Sequence, residues 1–241
     1  MNFKEYWYIV KDWSRVFITC YKYETVRRVA DLVDTPDGPL IQEISRLLGK
    51  ALVEKLELHV SVSGFENLDN LTHYCVASTH ASYLDWFVIL AYFPTPVRFV
   101  ARKEITKFPV IGEYLKDQAV LIDRSRGKEA IEKLEAAVDR SLAKDDRYPI
   151  LIFPEGTRSP DGKIRRFKKG GLSVLISKGL KVVPLVLKGT YDILPRNAYY
   201  CQKKVPIRMA ICPPVDPQIY GNPDDAIQEV ERRIRTTFDK L

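Results

Sequence analysis

The chain predicts an α/β fold: a mostly parallel sheet covered by helices and preceded by an N-terminal amphipathic two-helix segment. Three observations carry that prediction. Short apolar and β-branched runs recur at 74–78, 97–101, 119–122, 149–153, 182–187 and 207–211, each the length of a strand. Helix-periodic stretches lie between or after them, most clearly 84–92, 128–144 and 224–240, and strands alternating with helices argue for a parallel sheet buried on both faces. Upstream of residue 55, by contrast, aromatic and apolar residues return only at helical spacing.

The first 33 residues place Phe3, Tyr6, Trp7, Val10, Trp13, Phe17 and Tyr21 on one helical face, with Lys4, Lys11, Arg15 and Lys22 along its flank. Such a stripe commonly packs on a protein's own core. Large rings beside one row of cations also fit a helix lying in a bilayer interface. No apolar run approaches the ~20 residues of a spanning helix. After the break at Thr35-Pro36-Asp37-Gly38-Pro39, a second helix is predicted over 40–53 through Ile41, Ile44, Leu47, Leu48 and Leu52. From Lys55 the period becomes two, with Leu56, Leu58, Val60 and Val62 alternating with polar residues until Gly64, so a first strand is expected there. This divides the chain into a membrane-association segment, 1–54, and an α/β domain, 55–241.

At 241 residues and 46 % hydrophobic content the chain can bury a substantial core. Thirty-eight Lys plus Arg against 31 Asp plus Glu give a formal charge of +7, which suits anionic partners. Cys20, Cys75, Cys201 and Cys212 form no CxxC pair and read as reduced thiols of a cytosolic compartment, with no metal site implied.

The stretch Thr79 to Asp85, T-H-A-S-Y-L-D, joins the end of a strand to the start of a helix. With His80 in the turn and Asp85 in the first helical turn, the carboxylate can accept a hydrogen bond from one ring nitrogen and leave the other as a base. On one continuous helix the pair would not meet, because side chains meet at spacings of three and four. Taken alone, these residues more often form a cap or a packing contact. Two other strand ends carry compatible chemistry: Ile150–Phe153 leads into P-E-G-T-R-S, and 119–122 leads into Asp123-Arg124-Ser125-Arg126. Ligands of such sheets gather at the carboxyl ends of strands. Arg158 and Arg124 would there present guanidinium forks suited to phosphate, with Gly156 permitting close backbone approach.

These residues resemble the glycerolipid acyltransferase family. His80-Ala-Ser-Tyr-Leu-Asp85 is similar to the family's HxxxxD block, and Phe153-Pro-Glu-Gly-Thr-Arg-Ser159 matches its FPEGTRS block letter for letter. Lys103 to Arg124 resembles a second block, and Val182-Val-Pro-Leu-Val186 with Lys188-Gly189 a fourth, all in order. Thr79 stands where many members have asparagine. Asp85, where the lipid A branch has glutamate, points to the glycerolipid side, closest to bacterial-type 1-acylglycerol-3-phosphate acyltransferases. The resemblance implies that His80, oriented by Asp85, activates the free hydroxyl of lysophosphatidic acid against a fatty acyl thioester. The donor would be acyl-CoA or acyl-acyl carrier protein, and no cofactor is required. It further implies that Arg158, Arg124 and Lys103 recognise phosphate, and that Glu155, Gly156 and Thr157 shape the acceptor pocket. Glycerol 3-phosphate or another lysophospholipid is the alternative acceptor.

No GxSxG elbow occurs, so Ser82 reads as helix-capping; His59 and His73 lie outside every block and read as structural. The basic run Lys163, Arg165, Arg166, Lys168, Lys169 suits a solvated loop, an anionic headgroup surface, or the donor's phosphates or acidic carrier. A nucleic-acid-binding domain would also use cations and rings, but no such module signature is present and no nucleic-acid partner is expected. The expected location is peripheral, on the cytoplasmic face of the cell membrane.

Overall fold

The computed structural model describes residues 3–34, 38–107, 111–123, 125–143, 148–202 and 204–241. Its strands are β1 (Val60–Ser63), β2 (Tyr74–Ser78), β3 (Arg98–Arg102), β4 (Ala119–Ile122), β5 (Ile150–Ile152), β6 (Lys181–Lys188) and β7 (Ile207–Ile211). They form one sheet in the order β1-β7-β6-β2-β5-β3-β4. Every pairing is parallel except β6 with β7. The carboxyl ends of β2 to β6 therefore share one edge, and β1 and β7 run the other way.

The helices are α1 (Phe3–Ala30), α2 (Pro39–Lys55), α3 (Leu84–Tyr92), α4 (Ile111–Gln118), α5 (Gly127–Ala143), α6 (Lys169–Ser177), α7 (Thr190–Ile193) and α8 (Pro223–Lys240). Alternation along the strands sends side chains to two cores. Val76, Phe99, Leu151, Leu185 and Met209 join Leu48, Leu52, Phe87 and Ile89 beneath α2 and α3. Cys75, Ala77, Ile150, Ile152 and Val182 join Leu134, Leu175, Ile227 and Val230 beneath α5, α6 and α8. Covered on both faces, the central strands need no polar side, which is why β2 is buried at every residue.

The observed bounds of β2, β4, β7 and α3 coincide with the expected ones. The strand expected from Leu56 is shorter, because α2 continues to Lys55, Leu56 caps it, and Glu57 turns the chain at φ 55°. The alternation at Leu56 and Leu58 is thus a helix end followed by a turn. Gly170-Gly171, which follow the basic run, lie in the first turn of α6. There α6 crosses β5 so closely that a Cβ on Gly171 would lie 2.3 Å from Ile152 Cδ1.

The N-terminal hairpin is seated on the α/β body. Gly49 lets α2 approach α3, since a Cβ there would stand 2.6 Å from the Ala91 backbone nitrogen. The inner face of α1 buries Val16 and Cys20, and farther along it the buried Glu24 and Arg27 pair at 2.8 Å. Trp13 turns inward from the expected stripe and donates Nε1–H to the Tyr199 carbonyl at 2.5 Å. Trp7, Val10, Phe17, Ile18, Tyr21 and Val29 remain exposed. The side chains of Phe3 and Tyr6, also read as part of that stripe, lie outside the described residues. Among the described residues no helix is long and apolar enough to cross a membrane.

Candidate active site

The strand β2 ends at Ser78, and Thr79 continues its ladder: its N–H donates to the Leu185 carbonyl and its Oγ1 accepts from Leu187 N–H at 2.9 Å. The residue before the histidine thus stitches turn to sheet. The chain then bends through residues 80–83 into α3, which brings Asp85 back over the turn. Asp85 is fully buried, and its Oδ2 lies 2.9 Å from His80 Nδ1 while accepting the Ala81 and Ser82 N–H groups at 2.7 and 2.9 Å. An oxygen that gathers two backbone donors acts as acceptor toward the ring as well, so we assign the hydrogen of the imidazole to Nδ1. Nε2 makes no hydrogen bond among the described residues. Phe153 holds the ring from one side, stacked at 4.0 Å between centroids and 19° between planes.

The loop after β5 locks onto this turn. Ser159 N–H donates to the His80 carbonyl at 2.8 Å, and His80 N–H donates to Glu155 Oε1 at 2.9 Å. The other oxygen, Oε2, accepts Arg165 N–H at 2.9 Å. Glu155 is therefore a buried tie between two loops and does not itself line the adjoining cavity. Burial pushes its carboxyl up to about 7, against the pull of the two N–H donors. Gly156 adopts φ 74°, which favours glycine, and a Cβ there would press on the Lys168 side chain at 3.0 Å.

A cavity of about 300 Å³ opens beside the imidazole, its polar lining including His80, Thr157, Arg158 and Arg196, with Gly156 beside them. Phe99, Val100, Ile105 and Leu115 line its apolar part. Arg158 lies over the Tyr83 ring at 3.6 Å, and burial, with the nearby Arg196 charge adding to it, lowers the pKa of its guanidinium. The structure thus gathers His80, Asp85, Gly156, Thr157 and Arg158 in one place.

Lys103, on the turn after β3, is exposed and pairs with Asp123, which its ammonium and Ser125 hold well below the usual carboxylate range. Its neighbours Arg102 and Glu104 line the cavity and Lys103 does not. Arg124 lies outside the described residues. Ser82 accepts Leu84 N–H at 3.2 Å, as a cap would, and also donates to the Leu194 carbonyl at 2.8 Å. Sequence reasoning missed Arg196, Tyr83 and Trp86. Arg196 follows the carboxyl end of β6, so the strand-end logic applied to Arg158 and Arg124 extends to it.

The Acyltransferase family model matches residues 59–188, more than half of the chain. The protein belongs to the acyltransferase family. Among its relatives, a 1-acyl-sn-glycerol-3-phosphate acyltransferase of Limnanthes alba is 30 % identical over 171 residues, 70 % of this chain and 59 % of the relative. A second of that name, from Helicobacter pylori, is 33 % identical over 135 residues, 54 % of this chain and 56 % of the relative. The chain thus spans somewhat over half the length of these curated relatives. The crystal structure of the 1-acyl-sn-glycerophosphate (LPA) acyltransferase PlsC from Thermotoga maritima superposes with a TM-score of 0.85 at 22 % identity, over 99 % of this chain and 96 % of that one. The two share a fold, N-terminal helices included.

The Glu155 tie carries a pH signature in this acyltransferase-family chain. Folded, its carboxyl keeps its proton up to about 7, whereas the ordinary value is 4.5. The folded state therefore binds more protons between those limits, and stability falls as pH rises through that window. Urea unfolding at pH 5 and 7.5 should show a loss of stability that is smaller in Glu155→Gln. An equal loss in the variant would contradict the assignment.

Proposed function

We propose that the chain transfers a fatty acyl group from a thioester donor to the free hydroxyl of 1-acylglycerol 3-phosphate, giving phosphatidic acid. The observation that carries this reading is the 2.9 Å contact between His80 Nδ1 and the buried Asp85, which leaves Nε2 available beside a cavity that Arg158 also lines. Nε2 takes the acceptor's proton as that oxygen attacks the thioester carbonyl; the C–O bond forms, the C–S bond breaks, and the imidazolium returns the proton to the thiolate. Asp85 fixes the ring and stabilises its transient charge, as carboxylate partners of catalytic histidines do. The apolar part of the cavity suits an acyl chain, and Arg158 in its polar lining suits the acceptor phosphate. Gly156 and Thr157 form the wall between them, and Glu155 supports that wall from behind. Lys103 would have to swing toward the cavity from its pair with Asp123 to join phosphate recognition. The names of the relatives support the same acceptor.

The donor is acyl-CoA or acyl-acyl carrier protein. The exposed cations Lys163, Arg165, Arg166 and Lys168 follow the site loop, and Lys168 lies against Gly156, so either donor's negative charge would find counter-charges there.

The segment 1–54 is the membrane-contact element in this reading. On α1, Trp7, Ile18, Tyr21 and Val29 are each more than half exposed, and Lys11, lying over the Trp7 ring, and Lys22 share that outer side. Rings and branched side chains beside cations, with no spanning length, describe a peripheral helix on an anionic surface, here assigned to the cytoplasmic face. Each such side chain contributes about 1.5–3 kcal/mol when buried. The double variant Ile18→Glu, Val29→Glu should lower binding to anionic vesicles at least ~tenfold, and unaltered cosedimentation would refute the anchor.

For the chemistry, His80→Ala should lower kcat by about 10²–10⁴-fold or more, and Asp85→Asn should lower it comparably while the fold persists. Assays should pair both donors with lysophosphatidate, other lysophospholipids and glycerol 3-phosphate. Near-parental turnover by His80→Ala would remove His80 as the base.

A further inference from the structure

The cavity holds a second guanidinium that no motif marks. Arg196 lines it together with His80 and Arg158. The two arginines face each other closely: Arg158 Nη1 lies 3.5 Å from the Arg196 carbonyl oxygen, and Arg196 Nη1 lies 3.4 Å from that of Arg158. Both contacts are at the long limit of a hydrogen bond. Among the described residues neither guanidinium has a carboxylate within ion-pair distance; Glu104 lines the same cavity and pairs with neither. The charge of Arg196 disfavours that of Arg158 more than the more distant Asp85 offsets it, and an anion between the two guanidinium groups relieves that repulsion.

The backbone presenting Arg196 is held on both sides. Ser82, in the turn between His80 and Asp85, donates to the Leu194 carbonyl at 2.8 Å. Gln202 N–H donates to the Ile193 carbonyl at 2.7 Å, and Ala198 N–H to that of Pro195 at 3.0 Å. On the far side α1 grips the same strap: Trp13 bonds the Tyr199 carbonyl, Asp12 accepts Cys201 N–H at 3.0 Å, and Tyr8 stacks on Tyr200 at 5.9 Å. Arg196 is thus an exposed side chain on a backbone held from two sides, by α1 and by the turn that carries the imidazole.

We propose that Arg196 is a second phosphate-binding residue of the acceptor site, closing on the phosphate monoester from the side opposite Arg158 and setting the preference for a monoester over a diester headgroup. The inference rests on the acceptor proposed above. A monoester carries up to two negative charges and three terminal oxygens, enough for a fork from each arginine. A zwitterionic diester offers one charge and places its own cation near the pair, which disfavours it.

The test compares Arg196→Ala and Arg196→Lys with the parent in detergent micelles, where vesicle binding does not contribute. Circular-dichroism melting serves as the check on folding. For lysophosphatidate, Arg196→Ala should raise KM by about tenfold or more, the loss of one charge-assisted pair, with a smaller change in kcat. Its preference over lysophosphatidylcholine should shrink by a similar factor, and Arg196→Lys should recover part of both. An unchanged KM and preference in Arg196→Ala, or a loss confined to kcat, would overturn the proposal. Calorimetric binding of a short-chain lysophosphatidate separates the two layers of argument. If the parent binds it but transfers no acyl group to it, the acceptor reading fails, and Arg196 is still judged by the variant's Kd. If the parent turns it over and the variant binds equally well, Arg196 alone fails.

Discussion

The arrangement depends on one buried carboxylate oxygen. Asp85 Oδ2 gathers His80 Nδ1 and the N–H groups of Ala81 and Ser82, all within 2.9 Å. Those three contacts define the turn, place the ring against Phe153 and begin α3. The other carboxylate oxygen, Oδ1, is buried with no hydrogen-bond partner among the described residues. A lone polar atom in such a place costs free energy, roughly 1–3 kcal/mol. The fold tolerates that cost at the point where it orients a titratable side chain, the kind of local conflict that marks a functional site.

Around this oxygen the parallel sheet supplies convergence. Because β2, β5 and β6 point the same way, the loops carrying His80, Glu155 to Ser159 and Arg196 leave one edge together. The Glu155 carboxylate, accepting His80 N–H, and the Ser159 N–H, donating to the His80 carbonyl, join the second loop to the first, and the Ser82 hydroxyl joins the third. The turn at 79–85 is therefore the hub of three loops as well as the seat of the imidazole. A disturbance of any tie would move the ring relative to Arg158, and catalysis of this kind is sensitive to displacements of about 1 Å.

Local features were legible in the sequence, and features set by tertiary contact were not. The short apolar-rich runs of β2, β4 and β7 and the apolar cluster in α3 stand out from the polar residues around them, so their limits could be read. Leu56 and Leu58 misled because a helix cap and the turn after it mimic strand alternation. Gly171 sits inside α6 although glycine disfavours helices, and there a Cβ would press on the Ile152 side chain of β5. His80 and Asp85 are five residues apart and their meeting follows from a strand-turn-helix junction. The stacking of Arg158 on Tyr83, the Asp123 hold on Lys103 and the approach of Arg196 depend on how separate loops fold over one edge. No spacing encodes those contacts. Glu155 was read as pocket wall from its motif, and its burial behind the wall is visible only in three dimensions.

The central claim is that the carboxylate of Asp85 keeps the hydrogen of His80 on Nδ1 and leaves Nε2 bare. The chain has only three histidines, His59, His73 and His80, so ¹⁵N-histidine labelling with long-range ¹H–¹⁵N correlation can resolve each ring and assign it by single substitutions. At a pH where the ring is neutral, the account predicts the Nδ1–H form for His80 and a shift away from it in Asp85→Asn. A His80 ring carrying its hydrogen on Nε2 in the parent protein would contradict the account.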